Sequence, residues 1–200
     1  MGAGAVPIAL AFLLVFVSWR MVFSLNKDLV RVRAWGELAR RALPFAILTV
    51  AVLSLPLVQG LLEAGWVLPA WILVFGGAFV VSNFFQMPLS ERRASRAFRE
   101  GDYATAIDLY RKLASERPLA RYWAFLASAL KSGGRREEAV SASTKAVELD
   151  PEYGLAYYNR ALVLRKMGRK SRAAKDLKKA LDADLPRRFR TASRKMLQEL

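Results

Sequence analysis

The chain has 200 residues, 54% of them hydrophobic, and carries 32 Lys and Arg against 17 Asp and Glu, a net charge of +15. It contains no Cys and no His, which excludes disulfides, Cys- or His-ligated zinc, thiol nucleophiles and Ser-His-Asp triads, and removes the commonest general base near neutral pH. The composition is segregated: residues 1–87 hold nearly all the long apolar runs and a net charge of +3, whereas residues 88–200 hold 26 basic and 14 acidic residues, a net +12.

A hydrocarbon core about 30 Å thick needs roughly 20 apolar helical residues to cross it. Three stretches in a membrane domain of residues 1–87 meet that need, near 5–25, 42–62 and 66–87. Glu63, Ala64 and Gly65 alone separate the last two, which predicts a tight helical hairpin. Arg20 lies close enough to the polar segment at Asn26 for its stem to reach the interface. Met1–Val6 has no basic residue, and Ser18-Trp19-Arg20-Met21 offers no small-residue cleavage site, so the first span reads as an uncleaved anchor. Pro44, Pro56 and Pro69 are expected near span ends or at a kink. Gly76, Gly77 and Ala78 give the third span a small-residue face, and Ser82 and Asn83 are candidates for bonds across helices, although ordinary span residues are the plainer reading. No row of intramembrane acids or bases marks an ion path.

Orientation follows from the positive-inside rule. Lys27, Arg31, Arg33, Arg40 and Arg41 lie between the first two spans, and Arg92, Arg93, Arg96 and Arg99 follow the third. Three spans put both basic segments on one side. The expectation is an integral protein of the plasma or inner membrane with its N-terminus outside and its C-terminal domain in the cytoplasm.

Beyond the spans the chain repeats itself. Residues 120–153 and 154–187 are both 34 long and align Trp123 with Tyr157, Ala127 with Ala161, Leu130 with Leu164, Gly134 with Gly168, Ala139 with Ala173 and Ala146 with Ala180. Each unit reads as two amphipathic helices. Gly134 and Gly168 stand where a first helix must end, and Pro118 and Pro151 stop second helices. One helix pair cannot bury its own apolar face, so about three must stack. A weaker unit near 87–119 supplies the third, with its corner at Gly101-Asp102-Tyr103 and an Arg-rich first helix. Residues 188–200 read as a capping helix that buries Phe189, Met196 and Leu197.

The spacing resembles the signature of the tetratricopeptide repeat (TPR) family. Trp123, Leu126, Ala127, Leu130, Ala139, Ala146 and Pro151 match it, with Ser143 in place of the usual aromatic. Tyr157, Ala161, Leu164, Ala173, Leu177 and Ala180 match it again, with Arg160 in place of Leu and Leu185 in place of Pro. The weaker unit matches at Ala94, Ala106, Tyr110 and Pro118. The resemblance implies an all-α chain: about three transmembrane helices, then a TPR α-solenoid over 88–187. It also implies a scaffold or adaptor, not an enzyme, with no cofactor and no metal, that holds a protein or peptide partner in a concave groove lined by first helices. The groove positions it implies are Ser95, Phe98 and Arg99; Arg121, Ala124, Phe125, Ser128 and Lys131; and Leu155, Tyr158, Asn159, Leu162 and Lys166. The clamp that some members place on a C-terminal carboxylate is not implied. Glu91, Ala124 and Leu155 stand where its lysines would be, and Asn159 alone is suggestive.

The remaining feature is charge. Residues 165–195 hold 13 Lys or Arg against Asp176, Asp182 and Asp184. Arg169, Lys170, Arg172, Lys175, Lys178 and Lys179 crowd one helix, and Arg187, Arg188, Arg190, Arg194 and Lys195 the next. A solvated face is the plain explanation. Contact with anionic lipid is the alternative that suits a membrane-tethered domain, and an acidic protein is another. Nucleic acid has only charge in its favour, with no motif or stacking platform. A third functional class is a non-catalytic subunit of a membrane assembly or maturation complex. The architecture is similar to some cytochrome c maturation factors, which usually carry their repeats outside the cytoplasm. Catalysis has no support: Gly133-Gly134 lacks the Lys-Ser of a phosphate loop, and Glu137, Glu138, Asp150 and Glu152 fall at helix ends.

Overall fold

A computed structural model describes residues 5–59 and 64–200, with side chains from residue 12 onward except Gln59. The chain forms two compact units, residues 1–88 and 89–200, and among the described residues all regular structure is helical.

The first unit contains α1 (Ala5–Leu25), the short α2 (Lys27–Arg31), α3 (Trp35–Gln59) and α4 (Val67–Phe85). Helix α3 begins well before the apolar run that predicted it. Its first turns are amphipathic: Glu37 pairs with Arg40 at 3.3 Å while Leu38 and Ala42 are buried. Arg33 adopts a left-handed φ of 54°, which closes α2 by letting Ala34 N–H donate to the Leu29 carbonyl at 2.9 Å. Pro44 and Pro56 both lie inside α3. Of the hairpin turn expected at Glu63, Ala64 and Gly65, Glu63 lies outside the described residues.

Two tryptophans tie these helices together. Trp19 Nε1 of α1 donates to Thr49 Oγ1 of α3 at 2.9 Å, and Trp71 Nε1 of α4 donates to Ser54 Oγ at 2.9 Å. Ser82 and Asn83, the sequence candidates for cross-helix bonds, donate to the Phe79 carbonyl of their own helix at 2.8 and 2.7 Å. The difference is geometric: a hydroxyl or amide on a helix reaches the carbonyl one turn back without needing a neighbour, whereas an indole N–H needs an acceptor on another helix. The segments Trp35–Val58 and Val67–Phe85 are long and apolar enough to cross a membrane, yet only 17% and 6% of their most apolar windows are buried. A Cβ added at Gly76 or Gly77 would meet nothing within 4 Å among the described residues.

The second unit is a succession of helix pairs: α5 (Leu89–Glu100) with α6 (Tyr103–Glu116), α7 (Ala120–Ser132) with α8 (Arg136–Leu149), α9 (Gly154–Lys166) with α10 (Lys170–Asp182), and a final α11 (Arg187–Gln198). Each pair turns on the same corner. Gly101, Gly134 and Gly168 take φ of 83°, 80° and 75°, a region that costs other residues a Cβ clash. The next amide bonds back to the carbonyl five residues earlier each time: Asp102 to Ala97 (2.9 Å), Arg135 to Leu130 (2.9 Å) and Arg169 to Leu164 (2.9 Å). Asp102 further caps α6 by accepting from Thr105 N–H at 3.1 Å, and the Thr105 hydroxyl first, then this amide, hold its carboxyl below the ordinary value.

Alanines at 94, 106, 127, 139, 161 and 173 are all fully or almost fully buried, which lets paired helices cross closely. Around them Ile107, Tyr110, Leu113, Tyr122, Leu126, Leu130 and Val163 form the main core. A second cluster joins Leu164 and Leu177 to Met196, with Leu197 and Leu200 of the last segment packed against it. The departures from the repeat signature have structural answers. Arg160 replaces a leucine but forms a two-bond ion pair with Asp176, Nε to Oδ2 at 2.7 Å and Nη2 to Oδ1 at 2.8 Å, and reaches Thr144 Oγ1 at 3.0 Å. Leu185 replaces a proline and is buried against the start of α9. Ser143 replaces an aromatic; it is fully buried, and its hydroxyl has no partner among the described residues.

Candidate partner-binding groove

Two polar contacts join first helices across the repeat boundaries. Tyr122 Oη of α7 donates to Glu91 Oε2 of α5 at 3.1 Å, with both side chains buried. Asn159 Nδ2 of α9 donates to the Ala124 carbonyl of α7 at 3.0 Å, also buried. The layer built from α5, α7 and α9 carries the residues that the family resemblance implies for a groove.

The structure sorts those residues into two groups. Arg121, Ala124 and Asn159 are buried, so they hold the array together and do not face a partner. Asn159 in particular is engaged in joining α9 to α7: its buried side-chain amide finds its acceptor in a backbone carbonyl of the neighbouring first helix, as a buried polar group must. The second group keeps exposed surface: Phe98, Phe125, Ser128, Lys131, Leu155, Tyr158, Leu162 and Lys166. Its aromatic members are also packing residues. Phe98 meets Tyr103 edge-on at 5.8 Å, Phe125 lies 5.6 Å from the Tyr110 ring, and Tyr158 lies 5.0 Å from the Phe189 ring of α11. Leu162 packs on the cluster that α11 completes. At the first repeat Arg99 donates to Ser95 Oγ at 3.2 Å.

Lys131 and Lys166 are different. Lys131 is half-buried near the end of α7, and burial first, then the Lys166 charge, holds its ammonium below the ordinary lysine value. Neither lysine has an acidic partner among the described residues. Two cations thus share one end of the first-helix layer without a counter-charge.

The basic residues of the last helices also separate. Arg190 is half-buried and spends its guanidinium on three carbonyls at the end of α10: Leu185 at 3.0 Å, Leu181 at 3.2 Å and Ala183 at 3.3 Å. It is a C-terminal cap for α10, so it leaves the basic face that the sequence drew. Arg188 sits 4.7 Å over the Phe189 ring, and Lys195 approaches Glu199 at 4.0 Å. Arg169, Lys170, Arg172, Lys175, Lys178, Lys179, Arg187 and Arg194 are exposed and make no ion pair among the described residues. An open hollow of ≈ 520 Å³ at the corner before α10 is lined by Gly168, Arg169, Lys170, Ser171 and Arg172.

Stacked helix pairs on a constant glycine corner define a helical-repeat protein. Residues 120–153 and 155–185 match the model of the tetratricopeptide repeat, so α7–α10 are tetratricopeptide repeats. Helices α5 and α6 lie outside the matched residues and share the corner geometry. Among solved structures, the type III secretion translocator chaperone SycD of Yersinia enterocolitica is similar, with TM-score 0.50, 18% identity, and coverage of 53% of this chain and 84% of that one. The Sgt2 TPR domain of Aspergillus fumigatus is similar at TM-score 0.50 and 23% identity, over 56% of this chain and 77% of that one. At these identities the likeness is one of fold. Comparison with curated proteins finds no match.

Proposed function

We propose that this protein is a membrane-tethered adaptor: α3 and α4 anchor it, α1 joins them as a further span, and the first-helix layer of the repeat array holds a segment of a partner protein that brings carboxylates. The observation that carries the binding reading is the Lys131–Lys166 pair. A half-desolvated ammonium beside a second cation is unfavourable until an anion joins it, and Phe125 and Ser128 of the same layer offer adjoining apolar and hydroxyl surface. Apolar helices that stay exposed along their length support the tether, because a soluble protein buries such helices. Basic loops on both sides of the last two spans favour an orientation with the repeats in the cytoplasm.

The sharpest test avoids Phe125 and Tyr158, whose truncation would loosen the core and the cap. Full-length protein and a Lys131→Glu/Lys166→Glu variant are crosslinked in cells, extracted from carbonate-washed membranes and compared by mass spectrometry. A protein recovered with the unaltered chain and lost with the variant is expected. Identical recovery from both, with the variant equally helical, would remove the groove reading. Loss of the chain itself in the carbonate wash would remove the tether.

A further inference from the structure

We infer that the exposed side of α10 is a docking surface for anionic lipid headgroups of the membrane in which the chain is anchored. Arg172, Lys175, Lys178 and Lys179 fall three, six and seven residues along one side of the helix, opposite the buried Ala173, Leu177 and Ala180. The acid in the middle of this helix is not available to them. Asp176 is 6% exposed and turned inward onto Arg160, so its charge is consumed within the α9–α10 pair.

The equivalent second helices of the other repeats neutralise themselves. In α6, Arg111 meets Asp108 at 3.6 Å and Lys112 meets Glu116 at 3.8 Å. In α8, Lys145 meets Glu148 at 3.0 Å, while Glu138 meets Arg135 at 2.6 Å. Of the three second helices, α10 alone has no ion pair on any of its cations among the described residues, and these stand at spacings where like charges repel. An extended anionic surface relieves that repulsion.

Nucleic acid fits less well. The one aromatic residue in 165–200 is Phe189, which is stacked on Tyr158 and covered by Arg188. No ring is therefore free to stack a base. A bilayer is the anion that the exposed apolar helices keep close at hand, and attraction to an anionic leaflet acts within about a Debye length, ~10 Å. The inference rests on the membrane tether, and its test reads the two separately.

The chain has no cysteine, so Ser171→Cys, on the exposed part of α10, gives a single site for a fluorophore. The full-length labelled protein is reconstituted into vesicles of phosphatidylcholine alone or mixed with phosphatidylglycerol, each carrying a headgroup-linked quencher. A carbonate wash and flotation report the tether. Quenching severalfold stronger in the anionic vesicles, weakened by salt and lost in Lys175→Glu/Lys178→Glu/Lys179→Glu, is expected. Equal quenching in both vesicle types, or quenching that survives the triple variant, overturns the inference. So does release of the probe from anionic vesicles by single-stranded nucleic acid at matched phosphate concentration. If the chain washes off neutral vesicles yet keeps salt-sensitive quenching on anionic ones, the tether falls and the lipid surface stands.

Discussion

Arg160→Leu is expected to destabilise the repeat array by about 3–5 kcal/mol, although leucine is the residue that the repeat signature asks for. Arg160 and Asp176 are both largely removed from water, with side chains 19% and 9% exposed. Their two short bonds and the bond to Thr144 join α9, α10 and α8. The same bonds push the guanidinium pKa further up, led by the hydrogen bond to Asp176. Removing the arginine strands a carboxylate where desolvation is not compensated. The double variant Arg160→Leu/Asp176→Leu should recover most of the loss, because an apolar pair of similar volume commonly replaces a buried ion pair without cost. Thr144 keeps its bond to the Val140 carbonyl at 2.9 Å in either case. Urea unfolding of the full chain in detergent, followed by helical circular dichroism, separates the outcomes. A single variant as stable as the parent would show that the pair contributes nothing, and a double variant no better than the single would place the loss in packing.

Gly154→Ala is the second large effect. Gly154 opens α9 and is buried under the segment that leads into α11. A Cβ there would lie 2.7 Å from Leu185 N and 2.9 Å from the Asp184 carbonyl carbon, both backbone atoms. Rotating a side chain cannot relieve that contact, so the linker must move. Its bond from Asp184 N–H to the Glu152 carbonyl at 3.0 Å and the buried Leu185 would move with it. A loss of about 1–3 kcal/mol is expected from overpacking, concentrated in α11. Hydrogen exchange resolved by segment should show faster exchange across 183–200 and little change in α5–α8. Uniform exchange throughout the array would mean that α11 is not held by this contact.

The two cases show where sequence reasoning reached and where it stopped. Helix period, glycine corners and paired alanines are local or recur at a fixed interval, so the repeat architecture was legible from Gly134 and Gly168, Ala127 and Ala161, Ala139 and Ala173. Gly154 carried no such mark, because its constraint comes from a chain segment 30 residues later. Arg160 looked like a flaw in the signature until Asp176, one helix onward, was seen to face it.

The candidate site divided in the same way. Their positions on a helix place Asn159 and Arg190 on the surface, yet both are occupied by backbone carbonyls of other elements. Along the sequence Lys131 and Lys166 are single groove positions, and only the docking of α9 on α7 makes them a pair.

What the sequence determined by itself is whatever depends on neighbours along the chain: helix type and length, corner positions, apolar stretches of spanning length, the 34-residue repeat and the excess of positive charge. The tertiary structure alone decided which polar groups meet. A charge is cheap in water and costly in the interior, so the use of each Arg, Lys, Asp and Asn depends on the partner that packing brings to it, and that partner lies a helix or a repeat away.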